Sequence, residues 1–434
     1  GRGTDAAASS TLGAVAGSGV HGILASVERE YPHLLTKVVD LEPDAAVADA
    51  GAWLIDELLF DGGGSEIGYQ GGQRYRWTVE PEPWSAEGGD ADWRPAAGWV
   101  VLATGGARGI TAGIVRDLAG PGVRVVLVGR SAEAETDAAR DEREATQSAL
   151  RAAGAEVEYH ALDVTDEAAF GGLIDDLYRR YGRIDAVLHG AGRIEDQAFL
   201  AKPVESFDRV FDTKADSAFI LARHLRPEGL RWIVLFGSIA GRFGNRGQAD
   251  YAAGNETMLR VGHLMRQRWQ ATRVVTINWG PWLGSGMASD GVVALLEAQG
   301  ILPIEAADGR RFLVDELARG RLDEAEVIAG SPARVDLRCF TATVRGRRRD
   351  GRTPIAMNSR EARTHLLLLA APDRATLLRR LDRLHARLTR GGDRTPARRA
   401  PAVAALPRSG VAESAPVADV EARRAAPGAG RQAR

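Results

Sequence analysis

Short apolar runs alternate with helix-length amphipathic segments between Trp99 and about Gly330, and this alternation constrains the fold more than any other feature. The apolar, β-branched runs are Trp99–Ala103, Val123–Val128, Val157–Ala161, Ala186–His189, Trp232–Phe236 and Val274–Asn278. The intervening helical segments include Ala112–Leu118, Ala168–Tyr181, Val204–Leu225 and Ala252–Trp269. Continuous apolar strands separated by helices indicate a parallel sheet that is covered on both faces. We therefore predict an α/β domain with a doubly wound parallel sheet over residues 98–335.

The first predicted strand runs directly into a glycine-rich turn, Thr104–Ala112, that opens a helix. Glycine allows a tight turn and lets the backbone approach a pyrophosphate at a helix N-terminus, where free N–H groups and the helix dipole favour an anion. A purely structural turn is the alternative, but a position between strand and helix is the context that the dinucleotide motif requires. The predicted cofactor-binding residues here are Gly105, Ala107, Arg108, Gly109 and Ile110.

The second strand ends in Val128-Gly129-Arg130-Ser131, without an acidic residue. An acid at this position would accept hydrogen bonds from the ribose 2′-hydroxyl of NAD, but it would repel a 2′-phosphate. Arg130, helped by Arg108 and by the Ser131 hydroxyl, offers charge-assisted bonds to that phosphate. The sequence therefore favours NADPH over NADH as cofactor.

The third and fourth strand ends meet the same edge of the predicted sheet. The residues assigned to the cofactor there are Asp163, Val164, Gly190, Ala191 and Gly192. The first two are suited to the adenine, and the glycines follow His189. We interpret His189 as a packed residue at the strand end, with a catalytic base as the alternative.

Polar side chains that could act on a substrate follow the fifth strand. Ser238 ends that strand, and Tyr251 lies thirteen residues beyond it at the start of a helix. Asn255 shares a helix face with Tyr251, because residues four apart on a helix point the same way. Lys214 lies on the helix after the fourth strand. The alternatives are a solvent-facing Lys214 and a Tyr251 that only packs in the core.

These motifs resemble the short-chain dehydrogenase/reductase superfamily, and specifically the ketoreductase domains of type I polyketide synthases. Residues 104–111 are most similar to the variants in polyunsaturated-fatty-acid and enediyne-type iterative synthases. Most of the superfamily carries Tyr-x-x-x-Lys with an asparagine on the preceding helix. Here the lysine is Lys214 and the asparagine is Asn255, the exchanged arrangement that synthase ketoreductases carry. The resemblance implies a Rossmann-type sheet.

The resemblance also implies an activity, the NADPH-dependent reduction of a β-ketoacyl thioester to a β-hydroxyacyl thioester. The thioester would be carried by the phosphopantetheine of an acyl carrier protein, with neighbouring synthase domains as further partners. We assign Tyr251 as proton donor and Ser238 as a second donor to the carbonyl oxygen. Lys214 would bind the nicotinamide ribose, together with Tyr251, and lower the Tyr251 pKa. Asn255 would orient Lys214 and a water.

The family resemblance also predicts the stereochemistry of the product. Families with an acidic pair after the fourth strand give the 3R alcohol; this chain has Asp196, with Glu195 in place of the first aspartate. The other class has a tryptophan eight residues before the tyrosine, where this chain has Phe243. Both features predict the 3R product. Trp279 and Trp282 resemble the segment over the nicotinamide, with core packing as the alternative, and a substrate lid is expected at 283–299.

The segments on either side of the predicted domain differ from it in composition. Residues 1–95 carry a few helices and strands and resemble part of the structural subdomain that precedes such reductases. Residues 345–434 are rich in Ala, Arg and Pro, with one helical stretch at 365–388. We interpret this tail as a largely disordered linker, with binding to an anion as the alternative. The absence of an initiator methionine leads us to expect a segment of a longer protein.

Composition excludes several classes of function. The single cysteine, Cys339, permits no disulfide framework or thiolate metal cluster and fits a reducing cytoplasm. No apolar run approaches the roughly 20 residues that span a bilayer, and the first residues given lack the basic start and continuous apolar core typical of a signal peptide. A net charge of −2 gives no reason to expect nucleic acid as partner. We expect no metal site.

Two other functions stay open from the sequence. One is a non-catalytic domain that only scaffolds a synthase, which intact Lys214, Ser238, Tyr251 and Asn255 argue against. The other is a free-standing reductase or epimerase of small alcohols or sugars, which the exchanged lysine and the flanking segments disfavour.

Overall fold

The structure is a computed structural model, and it describes residues 15, 17–34, 36–42, 45–59, 66–81, 84, 93–130, 136–283, 303–330 and the backbone of 341–346. Ser131, the lid at 283–299 beyond its first residue, and the 365–388 stretch lie outside the described residues. None of the described helices combines the length and the apolar character needed to cross a membrane.

The centre of the fold is a seven-stranded parallel sheet. Its strands are β4 (Val100–Thr104), β5 (Arg124–Gly129), β6 (Glu156–Ala161), β7 (Ala186–His189), β8 (Trp232–Ser238), β9 (Arg273–Trp279) and β10 (Glu326–Ala329). They lie in the order β6-β5-β4-β7-β8-β9-β10. The order reverses beside β4, so the carboxyl ends of β4 and β7 diverge into a crevice at the point where such sheets bind ligands.

Helices cover both faces of this sheet. Helices α3 (Gly109–Leu118) and α9 (Ala306–Arg319) pack on one face, together with Leu150 of α4 (Asp137–Ala152). Helices α5 (Glu167–Tyr181), α6 (Val204–His224) and α8 (Ala249–Arg268) pack on the other. A five-residue helix, α7 (Ile239–Phe243), joins β8 to α8. Both faces of the central strands are buried, which explains why they are apolar throughout rather than alternating.

The N-terminal segment extends the same sheet. It consists of α1 (Val20–Glu30), β1 (Val38–Leu41), α2 (Val47–Leu59), β2 (Glu66–Gln70) and β3 (Gln73–Pro81). Strand β11 (Thr341–Gly346) pairs antiparallel with β10 on one side and with β3 on the other. The sheet therefore has eleven strands, in the order β1-β2-β3-β11 followed by β10. Strand β11 lies beyond residue 335, where the sequence predicted the reductase domain to end.

A buried ion cluster joins the N-terminal segment to α7, α8 and β10. Arg242 of α7 forms a bidentate pair with Glu326 of β10, at 2.7 Å from Nε to Oε1 and 2.6 Å from Nη2 to Oε2. Arg242 also pairs with Glu66 of β2, which in turn pairs with Arg260 of α8. Arg260 Nη2 lies 2.7 Å from Glu256 Oε1 on the same helix. We call these five residues the ion cluster.

The structure confirms the α/β class, the doubly wound parallel sheet and the six strands predicted from apolar runs. The few helices and strands expected in residues 1–95 are also present, as α1, β1, α2, β2 and β3. Strand β10 and helices α4 and α9 were not predicted. Helix α4 is strongly polar, with only Thr146 and Leu150 buried, and β10 is only four residues long.

Candidate active site

The glycine-rich turn between β4 and α3 has the backbone that its sequence predicts. Gly105 has φ +67°, in the left-handed region, and a Cβ there would lie 2.9 Å from the carbonyl carbon of Gly190. The turns after β4 and β7 therefore pack main chain against main chain, which a larger residue would prevent. Ala191 N donates to Thr104 Oγ1 at 3.2 Å, which links the two turns further. Ala107 is buried, whereas Arg108 and Gly109 are exposed.

Three arginines gather at the end of this crevice. Burial lowers the pKa of Arg130, and the nearby charges of Arg193 and Arg108 lower it further, while Asp163 raises it. Mutual repulsion among guanidinium groups means that a dianion placed among them would be stabilised. Arg193, two residues beyond Ala191, was not predicted from the sequence as part of this group. Its place directly after the Gly190–Gly192 turn was the available signal.

A carboxylate also reaches the glycine-rich turn. Glu142, on the exposed face of α4, accepts a hydrogen bond from Gly109 N at 2.8 Å. The Glu142 contact spans 33 residues and has no sequence motif, so it could not be predicted from the sequence.

Val164, which the sequence analysis assigned to the adenine, is 5% exposed. The carboxylate of the neighbouring Asp163 accepts a hydrogen bond from Thr165 N at 2.9 Å.

Tyr251, Ser238 and Asn255 come together as predicted. Ser238 is the last residue of β8 and caps α7, with Ala240 N donating to its Oγ at 3.1 Å. Burial raises the pKa of the Tyr251 phenol, and hydrogen bonds with the Ser238 and Asn255 side chains lower it by less. Asn255 Nδ2 donates to the Tyr251 carbonyl at 2.7 Å. The Tyr251 pKa is therefore raised and not lowered as expected from Lys214, and the phenol is protonated at neutral pH.

Lys214 lies beside this group because α6 and α8 approach closely. A Cβ on Gly254 would be 3.1 Å from Lys214 Cβ, so glycine allows the contact between the two helices. Lys214 Nζ donates to the Phe236 carbonyl at 2.5 Å, and its Cε would meet a Cβ on Gly192 at 3.1 Å. The ammonium therefore lies beneath the β7 turn. Burial lowers the pKa of Lys214 to about 7. The solvent-facing alternative is wrong.

His189 is a packed residue, as interpreted from the sequence. Its Nδ1 lies 2.7 Å from Thr104 Oγ1, and its Nε2 lies 2.9 Å from Ser217 Oγ on α6. Burial, followed by the charge of Lys214, lowers the pKa of His189 to about 3. The ring is neutral and both nitrogens are engaged, so it connects β4, β7 and α6 instead of exchanging protons with a substrate.

The Asp196 carboxylate acts on the Tyr251 phenol, whereas the Glu195 side chain pairs with Arg193 at 3.1 Å. Both Asp196 oxygens accept bonds from Gln248 Nε2, each at 3.0 Å, and the Asp196 charge raises the Tyr251 pKa. Glu195 instead accepts bonds from Ser206 Oγ and Arg209 Nη2, both at 2.7 Å. Gln248, the N-cap of α8 three residues before Tyr251, was missed from the sequence.

The aromatic candidates differ in position. Trp279 and Trp282 are 5% and 4% exposed, and their rings pack edge to face at 5.1 Å within the core beneath α9. This position favours the core-packing alternative for both. Phe243, at the end of α7, is partly buried against Ile328 of β10.

One group of side chains has donor atoms spaced for a metal. The ligand atoms of His21, Glu66 and Glu256 lie within 4.8 Å of one another. Arg242 and Arg260 already pair with these carboxylates, so the positive charge that a cation would supply is present. Within the described ranges, these residues favour an internal ion cluster over a metal site.

The KR domain family matches residues 99–284. Among curated proteins, the chain is 28% identical over 327 residues to the polyketide synthase PksN of Bacillus subtilis, covering 73% of this chain and 6% of that protein. It is 35% identical over 236 residues to the polyketide synthase GfsB of Streptomyces halstedii, covering 54% of this chain and 4% of that protein. The chain thus spans a small part of the synthases that it matches.

Solved ketoreductase structures share the fold. The ketoreductase PlmKR1, from the first module of phoslactomycin biosynthesis in Streptomyces sp. HK803, is 28% identical with a TM-score of 0.63. That match covers 73% of this chain and 71% of the other. A ketoreductase domain from the bacillaene assembly line is 27% identical with a TM-score of 0.58, covering 70% of this chain and 71% of that one.

Proposed function

Since residues 99–284 belong to the ketoreductase (KR) domain family of polyketide synthases, we propose that the chain reduces a β-ketoacyl thioester to the (3R)-hydroxyacyl thioester with NADPH. The thioester is held by the phosphopantetheine of an acyl carrier protein within a larger synthase. The family supports reduction of a β-keto group by an oxidoreductase with a nicotinamide cofactor. NADPH, the carrier-bound substrate and the 3R product are our proposals.

One observation carries this function: the Tyr251 side chain is hydrogen-bonded to those of Ser238 and Asn255, with buried Lys214 on the adjoining helix. Hydride addition to a ketone creates an alkoxide that must be stabilised and protonated as it forms. Tyr251 donates its proton to that oxygen, and the Ser238 hydroxyl donates a second hydrogen bond in the manner of an oxyanion hole. Among the described residues, buried Asn255 Oδ1 has no partner, which leaves it able to accept from a water that reprotonates the site.

The residues around the crevice fit a dinucleotide. Gly109 has φ +62° and open space where a Cβ would stand, which leaves the backbone at the start of α3 accessible to a pyrophosphate. Arg130, Arg108 and Arg193 form a cationic group that suits a 2′-phosphate. Asp163 and Val164 would border the adenine, and Gly190–Gly192 and Lys214 the ribose and nicotinamide. When bound, NADPH supplies the hydride.

The direct test is turnover of an acetoacetyl thioester, on an acyl carrier protein and on a short pantetheine analogue, followed by NADPH consumption and chiral product analysis. We expect the (3R)-hydroxyacyl product, faster reaction with NADPH than with NADH, and no NADP reduction with simple alcohols or sugars. Binding of NADPH without turnover would support the scaffold alternative. Oxidation of small alcohols or sugars would support the free-standing reductase.

Arg130→Ala should raise the KM for NADPH by about 10- to 100-fold, since charge-assisted bonds are each worth roughly 1.5–3 kcal/mol. The KM for NADH should change little, because NADH lacks the 2′-phosphate. Steady-state kinetics with both cofactors measures the ratio of the KM for NADPH to the KM for NADH in each protein. Arg124→Ala is the matched control, since Arg124 lies at the opposite end of β5 and pairs with Glu156. An equal loss for both cofactors would refute the assignment of Arg130 to the phosphate.

A further inference from the structure

The C-terminal half of α1 packs directly on the loop between α7 and α8. Gly244 has φ +66°, and a Cβ on it would lie 2.3 Å from the carbonyl carbon of Ala25. Asn245 N donates to Ser26 Oγ at 3.2 Å, and Arg29 Nε donates to the Phe243 carbonyl at 3.1 Å. The N-terminal segment thus contacts the chain that leads from Ser238 to Tyr251.

The last residue of α1 links this loop to a second one. Glu30 Oε1 accepts a hydrogen bond from Gly247 N at 2.9 Å, and Glu30 Oε2 accepts one from Phe199 N at 2.9 Å. The two loops also contact each other directly, with Gln197 N donating to the Gly247 carbonyl at 2.9 Å. One carboxylate therefore bridges residues 196–199, in the chain that follows β7, and residues 244–248, which precede α8. We call these the substrate-side loops.

Both substrate-side loops carry side chains that border Tyr251. Asp196 of the first loop accepts both bonds from Gln248 of the second. Gln248 occupies the N-cap position of the helix that bears Tyr251, and the Asp196 charge acts on the Tyr251 phenol. A ketone that reaches the Tyr251 hydroxyl therefore lies beside these loops, and their separation sets how the ketone is held.

We propose that Glu30 is a positioning residue that fixes the substrate-side loops relative to Tyr251 and so sets the binding geometry of the ketone. This inference rests on the proposed reductase function. Bonds from two backbone amides to one carboxylate are charge-assisted and stronger than neutral ones, which suits Glu30 to hold two loops in one arrangement. The cofactor crevice lies on the other side of the β7 turn, around Arg130 and Gly105, so Glu30 acts on ketone binding and not on NADPH.

Glu30→Ala tests this role. We expect kcat/KM for the β-ketoacyl thioester to fall roughly tenfold or more, because small displacements of a positioned group are costly to the reaction. Most of that loss should appear in the KM for the thioester, and the share of the 3S alcohol should rise. The KM for NADPH should stay within about twofold of wild type. Glu30→Gln keeps one acceptor oxygen for two amides and should lose less.

The matched control is Glu28→Gln on the same helix, because Glu28 Oε2 accepts a hydrogen bond from Thr36 Oγ1 at 2.9 Å, in the chain that leads to β1. This control should keep wild-type kinetics. Wild-type kcat/KM and stereochemistry in Glu30→Ala would overturn the inference. A parallel loss of thioester binding, NADPH binding and melting temperature would also overturn it, since that pattern reports general unfolding. Absence of turnover in the wild type would instead count against the proposed function.

Discussion

Tyr251→Phe should lower kcat for reduction of a β-ketoacyl thioester by at least about a hundredfold, because proton transfer by a positioned acid contributes roughly 10²–10⁴-fold. The substitution removes only the hydroxyl and keeps the ring in place. NADPH binding should be little changed, because the arginine group and the glycine-rich turn are untouched. Single-turnover measurement of NADPH consumption isolates the chemical step from product release.

The physical reason lies in the protonation state of the phenol. Burial raises the Tyr251 pKa, so the side chain carries its proton at neutral pH and can donate it to a developing alkoxide. The Ser238 hydroxyl remains in the variant and can still stabilise the charge on the developing alkoxide by a hydrogen bond. It does not replace Tyr251 as the donor of the proton. Some residual activity is therefore expected.

Tyr178→Phe is the matched control for this prediction. Tyr178 lies on α5, away from Ser238 and Asn255, and its hydroxyl donates to the Arg226 carbonyl at 3.3 Å. Removal of this hydroxyl should therefore leave kcat unchanged. Equal kcat values for wild type and Tyr251→Phe would contradict the assignment of the proton donor. Loss of NADPH affinity together with kcat would point to a misfolded variant, which a melting curve distinguishes.

Arg242→Met should destabilise the domain by about 3–5 kcal/mol, because removing one member of a buried ion pair leaves the others without compensation. Glu326 and Arg242 have side chains 1% and 5% exposed, so water cannot replace the lost guanidinium. Glu66 would keep only Arg260, and the link between β2, α7 and β10 would be lost. A fall in melting temperature on the order of 10 °C is expected.

The loss of stability in Arg242→Met should also depend on pH. In the wild type, the arginines outweigh burial and hold the pKa values of Glu66 and Glu326 below the ordinary value of 4.5. The two ionised carboxylates therefore stabilise the fold fully above pH 4.5, and this contribution declines as the pH falls below that value. In Arg242→Met, Glu326 loses the cation that lowers its pKa most, so burial raises its folded-state pKa, whereas Glu66 keeps Arg260. The buried Glu326 carboxylate then takes up a proton as the pH falls, and the difference in stability from wild type narrows.

Thermal or urea unfolding at pH 7.5 and pH 5 measures both effects. Arg223→Met is the control, because Arg223 and its partner Glu167 are 42% and 52% exposed and such pairs contribute at most about 1 kcal/mol. A deficit no larger than that of the control, or one that widens toward pH 5, would contradict the role assigned to the ion cluster.

The parts of the site that the sequence predicted are those whose geometry is local. The turn at Gly105, the position of Ser238 at a strand end and the i, i+4 pair of Tyr251 and Asn255 each depend on a few neighbouring residues. Parallel pairing then brings the strand ends to one edge. The chemistry of this edge could therefore be predicted before any long-range contact was known.

The contacts that sequence reasoning missed join distant parts of the chain. Glu30 lies 169 residues from Phe199 and 217 from Gly247, and Arg242 lies 176 from Glu66. A single glutamate on an amphipathic helix has the pattern of a solvated face, and only tertiary packing brings it to two backbone amides. The subtype resemblance to iterative synthases and the assignment of the tail at 345–434 remain predictions.

The position of β11 between β10 and β3 has a consequence for the order of folding. Trp77 of β3 pairs with Gly346 of β11, so the earlier strand is synthesised well before its partner leaves the ribosome. Until then, the free edge of β3 and the outer edge of β10 both expose unpaired backbone groups, which is the arrangement that invites pairing with other chains. The N-terminal strands therefore join the finished sheet last. A recombinant fragment that stops at 335 should aggregate more during refolding than one that includes 341–346.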